Sequence, residues 1–185
     1  MTSSLIDAPS HSSTFTTRAL RDALGMFATG VTIVTTLTPQ GQPIGMTASS
    51  FNSVALNPPL VLWSLSQLTA SMPVFAQAGH YAIHVLAVEQ RALAERFATR
   101  GIDRFAGTAW HEGMHGLPII DDTAAVFVCA NRSQYPEGDH TIFVGQVEHC
   151  SHRAGAAPLL YHGGMFYTEH PLGSLSPRAS RPMNK

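Results

Sequence analysis

Eight consecutive residues, Met46-Thr47-Ala48-Ser49-Ser50-Phe51-Asn52-Ser53, carry four hydroxyls and one amide between two apolar runs, Val31 to Leu37 and Leu60 to Leu65. Buried polar groups without hydrogen bonds are costly, so hydroxyls set between hydrophobic strands need partners. An elongated, oxygen-rich ligand with a phosphate would supply them; a solvated loop is the alternative. A second group is Gly138-Asp139-His140. There a carboxylate can orient the neighbouring imidazole, although the same tripeptide also builds a plain turn with an exposed histidine. The chain holds ten histidines, which raises the question of a metal. His111 and His115 are four apart and His149 and His152 three apart, but the first pair lies in an irregular stretch with Gly113 between, and neither pair has a nearby carboxylate triad pattern. No metal site is assigned. The chain has no Walker motif or GxSxG elbow, and no GxGxxG turn.

The elements that must position these groups are mostly strands. Leu20, Leu24 and Phe27, with Ala23 and Met26, recur at helical spacing, and Gly30 stands where a C-terminal cap would, predicting one amphipathic helix of about ten residues. Val31 to Leu37 is β-branched almost throughout, and Pro39 to Gln42 turns it back through Pro43 to Met46 as a hairpin. The hydroxyl segment then reads as extended, with Thr47, Ser49, Phe51 and Ser53 on one face. After the Asn57-Pro58-Pro59 turn come a buried strand from Leu60 to Leu65 and a short helix near Ser71, with Pro73 in its first turn. Tyr81 to Leu86 is another strand, and Gln90 to Arg100 a second amphipathic helix stopped by Gly101. Residues 101–122 read as a long irregular connection, a kind of loop that is more often functional than idle. Two strands, Ala124 to Ala130 and Thr141 to His149, flank a turn-rich stretch from Gln134 to His140, and a last pair spans Pro158 to Tyr167 through Gly163-Gly164. Many short strands adjacent in sequence argue for a mainly β, antiparallel barrel rather than a parallel dinucleotide-binding sheet.

At 185 residues the chain fits one domain, expected over 15–170 between a flexible N-terminal arm, 1–14, and a flexible tail, 171–185. Only 12% of residues are charged, against about 25% in an average soluble protein. A surface so poor in charge predicts a tight homodimer. With a net charge of −1 and no Lys/Arg run, nothing seeks nucleic acid or anionic lipid, and no apolar run approaches the roughly 20 residues of a membrane span. The N-terminus has no charged region leading into an apolar core, so the expected compartment is the cytoplasm. Cys129 and Cys150, without a CxxC, read as reduced packing residues.

Three runs together carry a resemblance: Phe27-Ala-Thr-Gly30-Val-Thr-Ile-Val-Thr-Thr36, Gly45-Met-Thr-Ala-Ser-Ser-Phe51-Asn-Ser-Val54 and Asn57-Pro-Pro-Leu60. Tyr81 to Ala87, Gln90, Phe97, Asp103-Arg-Phe105, and Gly138-Asp-His-Thr141 followed by Ile142 to Val147 continue it in order, over about residues 15 to 168. The pattern resembles the flavin reductase family, the small reductase components of two-component flavin-dependent monooxygenases. The resemblance implies an FMN-binding split barrel that is dimeric. It further implies a hydride passed from NADH or NADPH to FMN or FAD, and reduced flavin released to a partner oxygenase.

By the same resemblance the flavin falls to Gly30, to Met46, Thr47, Ala48, Ser49, Ser50, Phe51, Asn52 and Ser53, and to Trp63, Ser64, Leu65 and Ser66. His84, Ala87, Gln90 and Phe97 belong to the set, with amides near 87–90 contributing; for Trp63, core packing is the competing reading. Many members have Asn where this chain has Ser49 and His84, and both changes keep a hydrogen-bonding side chain. Asp139 and His140 are assigned to the nicotinamide side, with His140 as the catalytic candidate. Tyr167 and His162, near the closing hairpin, are candidates for the nucleotide or the dimer partner. Since the cofactors carry hydride transfer, the absence of a triad or carboxylate pair is expected. Two other readings stand: a flavin holder without turnover, and an oxidase of the pyridoxamine-phosphate type. The latter would need a basic phosphate pocket, and Lys and Arg are few here.

Overall fold

The computed structural model describes residues 14–170; the expected arm, residue 14 apart, and the tail lie outside the described residues. Helix α1 (Thr17–Gly25) is capped by Thr16, whose hydroxyl accepts the Ala19 amide. Strands β1 (Thr29–Gly30), β2 (Thr32–Leu37), β3 (Pro43–Ala48), β4 (Asn52–Leu56) and β5 (Pro59–Ser66) follow. Next come α2 (Met72–Gln77), β6 (His80–Val85) and α3 (Arg91–Ala98), the last preceded by a 3₁₀ turn at Val88–Gln90. The chain then forms β7 (Trp110–Glu112), β8 (Pro118–Ile120), β9 (Ala125–Glu137), β10 (His140–His152), β11 (Leu160–His162) and β12 (Met165–Tyr167).

Seven strands make one antiparallel sheet in the order β3-β2-β6-β9-β10-β5-β4. Its two edge strands, β3 and β4, are consecutive in the chain and only residues 49–51 separate them. Laid flat, six spacings of about 4.8 Å would hold the edges roughly 29 Å apart. Four peptide steps from Ala48 to Asn52 reach at most about 14 Å. The sheet therefore rolls until its edges approach each other. The inner face is the main core: Val34, Val61, Leu65, Tyr81, Ile83, Cys129 and Phe143 gather around Trp63, all buried. The Trp63 ring stacks on Phe143 at 4.7 Å and meets Phe75 and Tyr81 edge-on. A second core, with Ile33, Leu86, Phe97, Ile120 and Leu159, lies where α3 covers the sheet. A small sheet, β1-β11-β12, and the β7–β8 hairpin complete the body.

Several expectations are corrected. The first helix ends at Gly25, whose carbonyl accepts the Gly163 amide at 2.9 Å, while Gly30 pairs with Leu160 in β1 and caps nothing. The closing hairpin has captured residues that local pattern gave to the helix end. The extended reading of 46–53 breaks at Ser49–Phe51, where the chain leaves one sheet edge for the other. Residues 101–122 hold the β7–β8 hairpin, whose three-residue strands are too short to show alternation. The turn-rich stretch narrows to Gly138-Asp139, because β9 continues to Glu137 under pairing with β10. Cys129 is buried, and burial pushes its thiol up to about 12, but Cys150 is exposed rather than packed.

Two buried sites show how tight the roll is. Gly145 leaves room for Tyr81: a Cβ there would lie 2.4 Å from the Tyr81 hydroxyl oxygen and 2.9 Å from Cys129 Cβ. His84, wholly buried on β6, ties three strands together. Its Nδ1 lies 3.0 Å from the Ile33 carbonyl and its Nε2 accepts the Ile120 amide at 3.1 Å, which defines a neutral ring with the proton on Nδ1. Burial pushes its pKa down to about 4, opposed by the bond to Ile33 and aided by His111.

Gly145→Ala is expected to destabilise the fold by about 1–3 kcal/mol through overpacking, read as a lower urea midpoint with unchanged slope. The neutral His84 ring contributes stability that is fully present above the unfolded-state value of about 6.5. As pH falls from there to about 4, only the unfolded chain takes up this proton and stability drops by on the order of 3 kcal/mol. Urea unfolding at pH 7 and pH 4.5 checks this, with His84→Gln expected to show a flatter profile.

Candidate functional site

Within the hydroxyl segment, most polar groups serve the fold. The pairing of β4 with β5 ends at Asn52 opposite Leu62. Beyond it the Ser50 hydroxyl replaces the missing strand, donating to the Ser64 carbonyl at 3.1 Å and accepting the Ser64 amide at 2.9 Å. The Thr47 hydroxyl donates to the Ala94 carbonyl at 2.7 Å, tying β3 to α3, and the Asn52 side-chain oxygen accepts the Ser53 amide. Met46 and Phe51 pack against the main core, where Ala48 is itself buried, and the Ala48 carbonyl accepts the Thr32 hydroxyl. Ser49 and Ser53 remain: both are exposed, and neither hydroxyl has a partner among the described residues.

Asp139 and His140 stand at the other side of β5. Gly138, at φ 60°, takes the first turn position, which requires a positive φ, and β10 begins at His140. His140 Nδ1 donates to the Asp139 carboxylate at 2.7 Å, so Nε2 is the ring's outward atom. That hydrogen bond, more than the charge beside it, holds the fully exposed carboxyl below its ordinary range. Gln67 pins both residues from the next turn, its amide donating to the Asp139 carbonyl and its side chain to that of His140. Along the ladder His140 faces Ser66 and Ile142 faces Ser64. Residues 49–53, 64–66 and 139–140, far apart in sequence, thus lie side by side across β5. In an antiparallel strand alternate amides point the same way, so Ser66 directs its N–H to the side where Ser50 meets Ser64.

The remaining candidates are held differently from the expectation. The side chains of Trp63 and Leu65 are core, leaving only their backbone for binding. His84 has both ring nitrogens committed, as described above. The Gln90 side chain accepts the Ala87 amide at 3.1 Å and donates to the Asp121 carbonyl at 2.8 Å. The Val88 and Gln90 amides are also bonded, to the Ala157 and Ala87 carbonyls. The supply of free amides expected at 87–90 is therefore largely consumed by the turn and by Ala157. Phe97 is buried over Gly45, where a Cβ would lie 2.9 Å from its ring. Gly30 offers backbone in β1, beside Val31.

A cleft of about 300 Å³ opens where β3 meets α3, walled by Thr47, Ser49, Ala94, Glu95, Tyr161 and Phe166 among others. Tyr161 and Phe166, from the closing hairpin, were not singled out from sequence; their signal is an aromatic pair flanking Gly163-Gly164, and their rings meet at 5.3 Å. A larger cleft, about 680 Å³, lies between the β7–β8 hairpin and the β9–β10 pair and shares no residue with the hydroxyl segment. It holds His111, paired with Asp121 at 2.7 Å, together with His149 and His152. His115 is not among its walls, so the fold separates the His111–His115 pair noted in the sequence.

The chain is 48% identical over 149 residues to FMN reductase (NADH) SmoA of Agrobacterium fabrum, covering 80% of this chain and 84% of that protein. It is 43% identical over 151 residues to the reductase component of the flavin-dependent trigonelline monooxygenase of Acinetobacter baylyi, covering 82% of this chain but only 48% of that longer relative. The solved NADH:FAD oxidoreductase SgcE6 of Streptomyces globisporus, in complex with NAD and FAD fragments, superposes with a TM-score of 0.80 at 36% identity, over 85% of this chain and 96% of that one. The homologue of nitrilotriacetate monooxygenase component B from Mycobacterium thermoresistibile gives 0.83 at 32% identity, over 88% and 92%. Residues 24–170 match the flavin reductase like domain, and the chain belongs to that family.

Proposed function

We propose that this chain is an NAD(P)H:flavin oxidoreductase that reduces FMN or FAD and delivers the reduced flavin to a separate monooxygenase component. The observation that carries the reading is the meeting, across β5, of the unpartnered Ser49 and Ser53 hydroxyls, the Ser64–Ser66 strand end and the Asp139–His140 pair. Its support in the comparisons is the naming of relatives as an FMN reductase (NADH) and as reductase components or subunits of flavin-dependent monooxygenases. The donor set fits a flavin. Ser49 and Ser53 suit ribityl and phosphate oxygens, the backbone of Ser64–Ser66 suits the hydrogen-bonding edge of the ring, and Thr47, Tyr161 and Phe166 wall the adjoining cleft.

A flavin bound there supplies the hydride acceptor, and the reaction requires no bond to a side chain. The protein's part is to hold the two rings in contact, about 3–3.5 Å between reacting atoms, and to keep water out. Asp139 fixes the His140 ring through Nδ1, and the outward Nε2 contacts the pyridine nucleotide. In this reading the rolled sheet is a split barrel and residues 15–170 form one cytoplasmic domain. A second copy covers the exposed apolar side chains Leu24, Met26, Phe27 and Met165, which the Gly163–Gly25 hydrogen bond draws together. Isolated exposed apolar residues are ordinary, but a cluster of this kind marks an interface.

Oxidation of NADH and NADPH with added FMN and FAD, in all four pairings, tests the activity; no flavin-dependent oxidation would refute it. His140→Ala is expected to lower kcat/KM for the nicotinamide by about 10- to 100-fold, or roughly 1.4–2.7 kcal/mol, with flavin affinity nearly unchanged. Unaltered turnover and KM would retire the assignment of His140. Light scattering is expected to give a mass near twice 19.8 kDa, and a monomer would remove the dimer.

A further inference from the structure

Away from the hydroxyl segment, His80, His115 and Glu148 bring two imidazole nitrogens and one carboxylate oxygen to within 4.8 Å of one another. The His115 Nε2 lies 2.8 Å, and the His80 Nε2 3.6 Å, from the same oxygen, Oε2 of Glu148. The three residues come from separate elements: the first residue of β6, the 3₁₀ turn between β7 and β8, and the middle of β10. We propose that they form a binding site for a divalent first-row transition ion, zinc above all, which fastens the β7–β8 hairpin to the main sheet. The proposal is independent of the reductase reading.

Two backbone irregularities aim side chains at this point. Glu148 is the extra residue of a β-bulge, since Val147 pairs with Cys129 and His149 with Val128, leaving Glu148 without a partner on β9. Bulges of this kind redirect a side chain. His115 adopts φ 58° and ψ 20°, the left-handed region that a residue with a Cβ rarely enters. An ion pair between partly exposed groups stabilises little, which leaves both departures unexplained by the contact alone. A shared ion accounts for them.

The chemistry of the donors selects the ion. Two neutral imidazoles and one carboxylate suit zinc and its neighbours, whereas magnesium and calcium take oxygen ligands. Ligand atoms about 2.0–2.1 Å from a tetrahedral ion stand about 3.3 Å apart, a distance bracketed by the two separations to Glu148. The two rings now stack with centroids 3.7 Å apart. Each side chain is about one-third exposed, so rotation about its own bonds is enough to turn both Nε2 atoms onto one ion. The ion would take the place of the proton that joins His115 to Glu148. The hairpin is already anchored at Pro118, whose carbonyl accepts the Thr35 hydroxyl at 2.7 Å. A metal at His115 would anchor its tip as well.

The test uses the full-length chain, freed of any affinity tag, stripped with a chelator and titrated with Zn²⁺ by calorimetry in the absence of flavin and nicotinamide. One ion per chain at micromolar affinity or tighter is expected, with Co²⁺ giving the intense visible bands of a tetrahedral site. His115→Ala and Glu148→Gln should each weaken binding at least about tenfold, while His111→Ala should leave it unchanged. Glu148→Gln keeps the shape of the side chain and guards against a folding failure, which circular dichroism monitors. Absence of saturable binding would overturn the proposal, and so would binding that survives both ligand substitutions.

Discussion

The fold hangs on the three residues that join the sheet's two edges. Because Ser49–Phe51 must cross from β3 to β4, the seven strands have no flat arrangement open to them, and the core around Trp63 exists only inside the roll. Ser50 makes that crossing specific. Its hydroxyl takes both backbone groups of Ser64, so the pairing along β5 is continued past Asn52 by a side chain where a strand would otherwise be needed. A hydroxyl that acts as donor and acceptor at once is the smallest group able to do this.

The same seam organises the site. It leaves Ser49 and Ser53 on either side of Ser50 with nothing to bond, while β5 carries the register across to His140. The candidate hydroxyls and the His140 imidazole are thus spaced by strand geometry rather than by loops, so their separation is fixed by the scaffold. Further off, Thr47 on Ala94 and Phe97 over Gly45 hold α3 against β3, so the cleft beside the hydroxyl segment has a firm wall.

Much of this was legible in the residues. A β-branched run marked β2, Pro and Gly marked the turns, and the octapeptide stood out because its polarity contradicts its apolar surroundings. What was not legible depends on pairing at a distance. No local pattern reveals that Gly25 is met by Gly163, that the Trp63 side chain belongs to the core, or that the Gln90 side chain spends itself on Ala87 and Asp121. His84 is the clearest case: read as a ligand position, it is a buried strand tie, and only knowledge of both ring partners distinguishes the two. The histidines mislead in the same way, since His115 finds His80 in space and not its sequence neighbour His111.

The two cysteines have a practical consequence. Cys129 is sealed in the core with its thiol held protonated, whereas Cys150 faces outward on β10. Thiol reagents act on the accessible thiolate, so the native chain presents a single point of attachment for a fluorophore or spin label. That point sits on the long strand whose other end carries His140. A probe at Cys150 would follow the β9–β10 ribbon from the end opposite His140, with no engineered cysteine and without touching a residue of the candidate site.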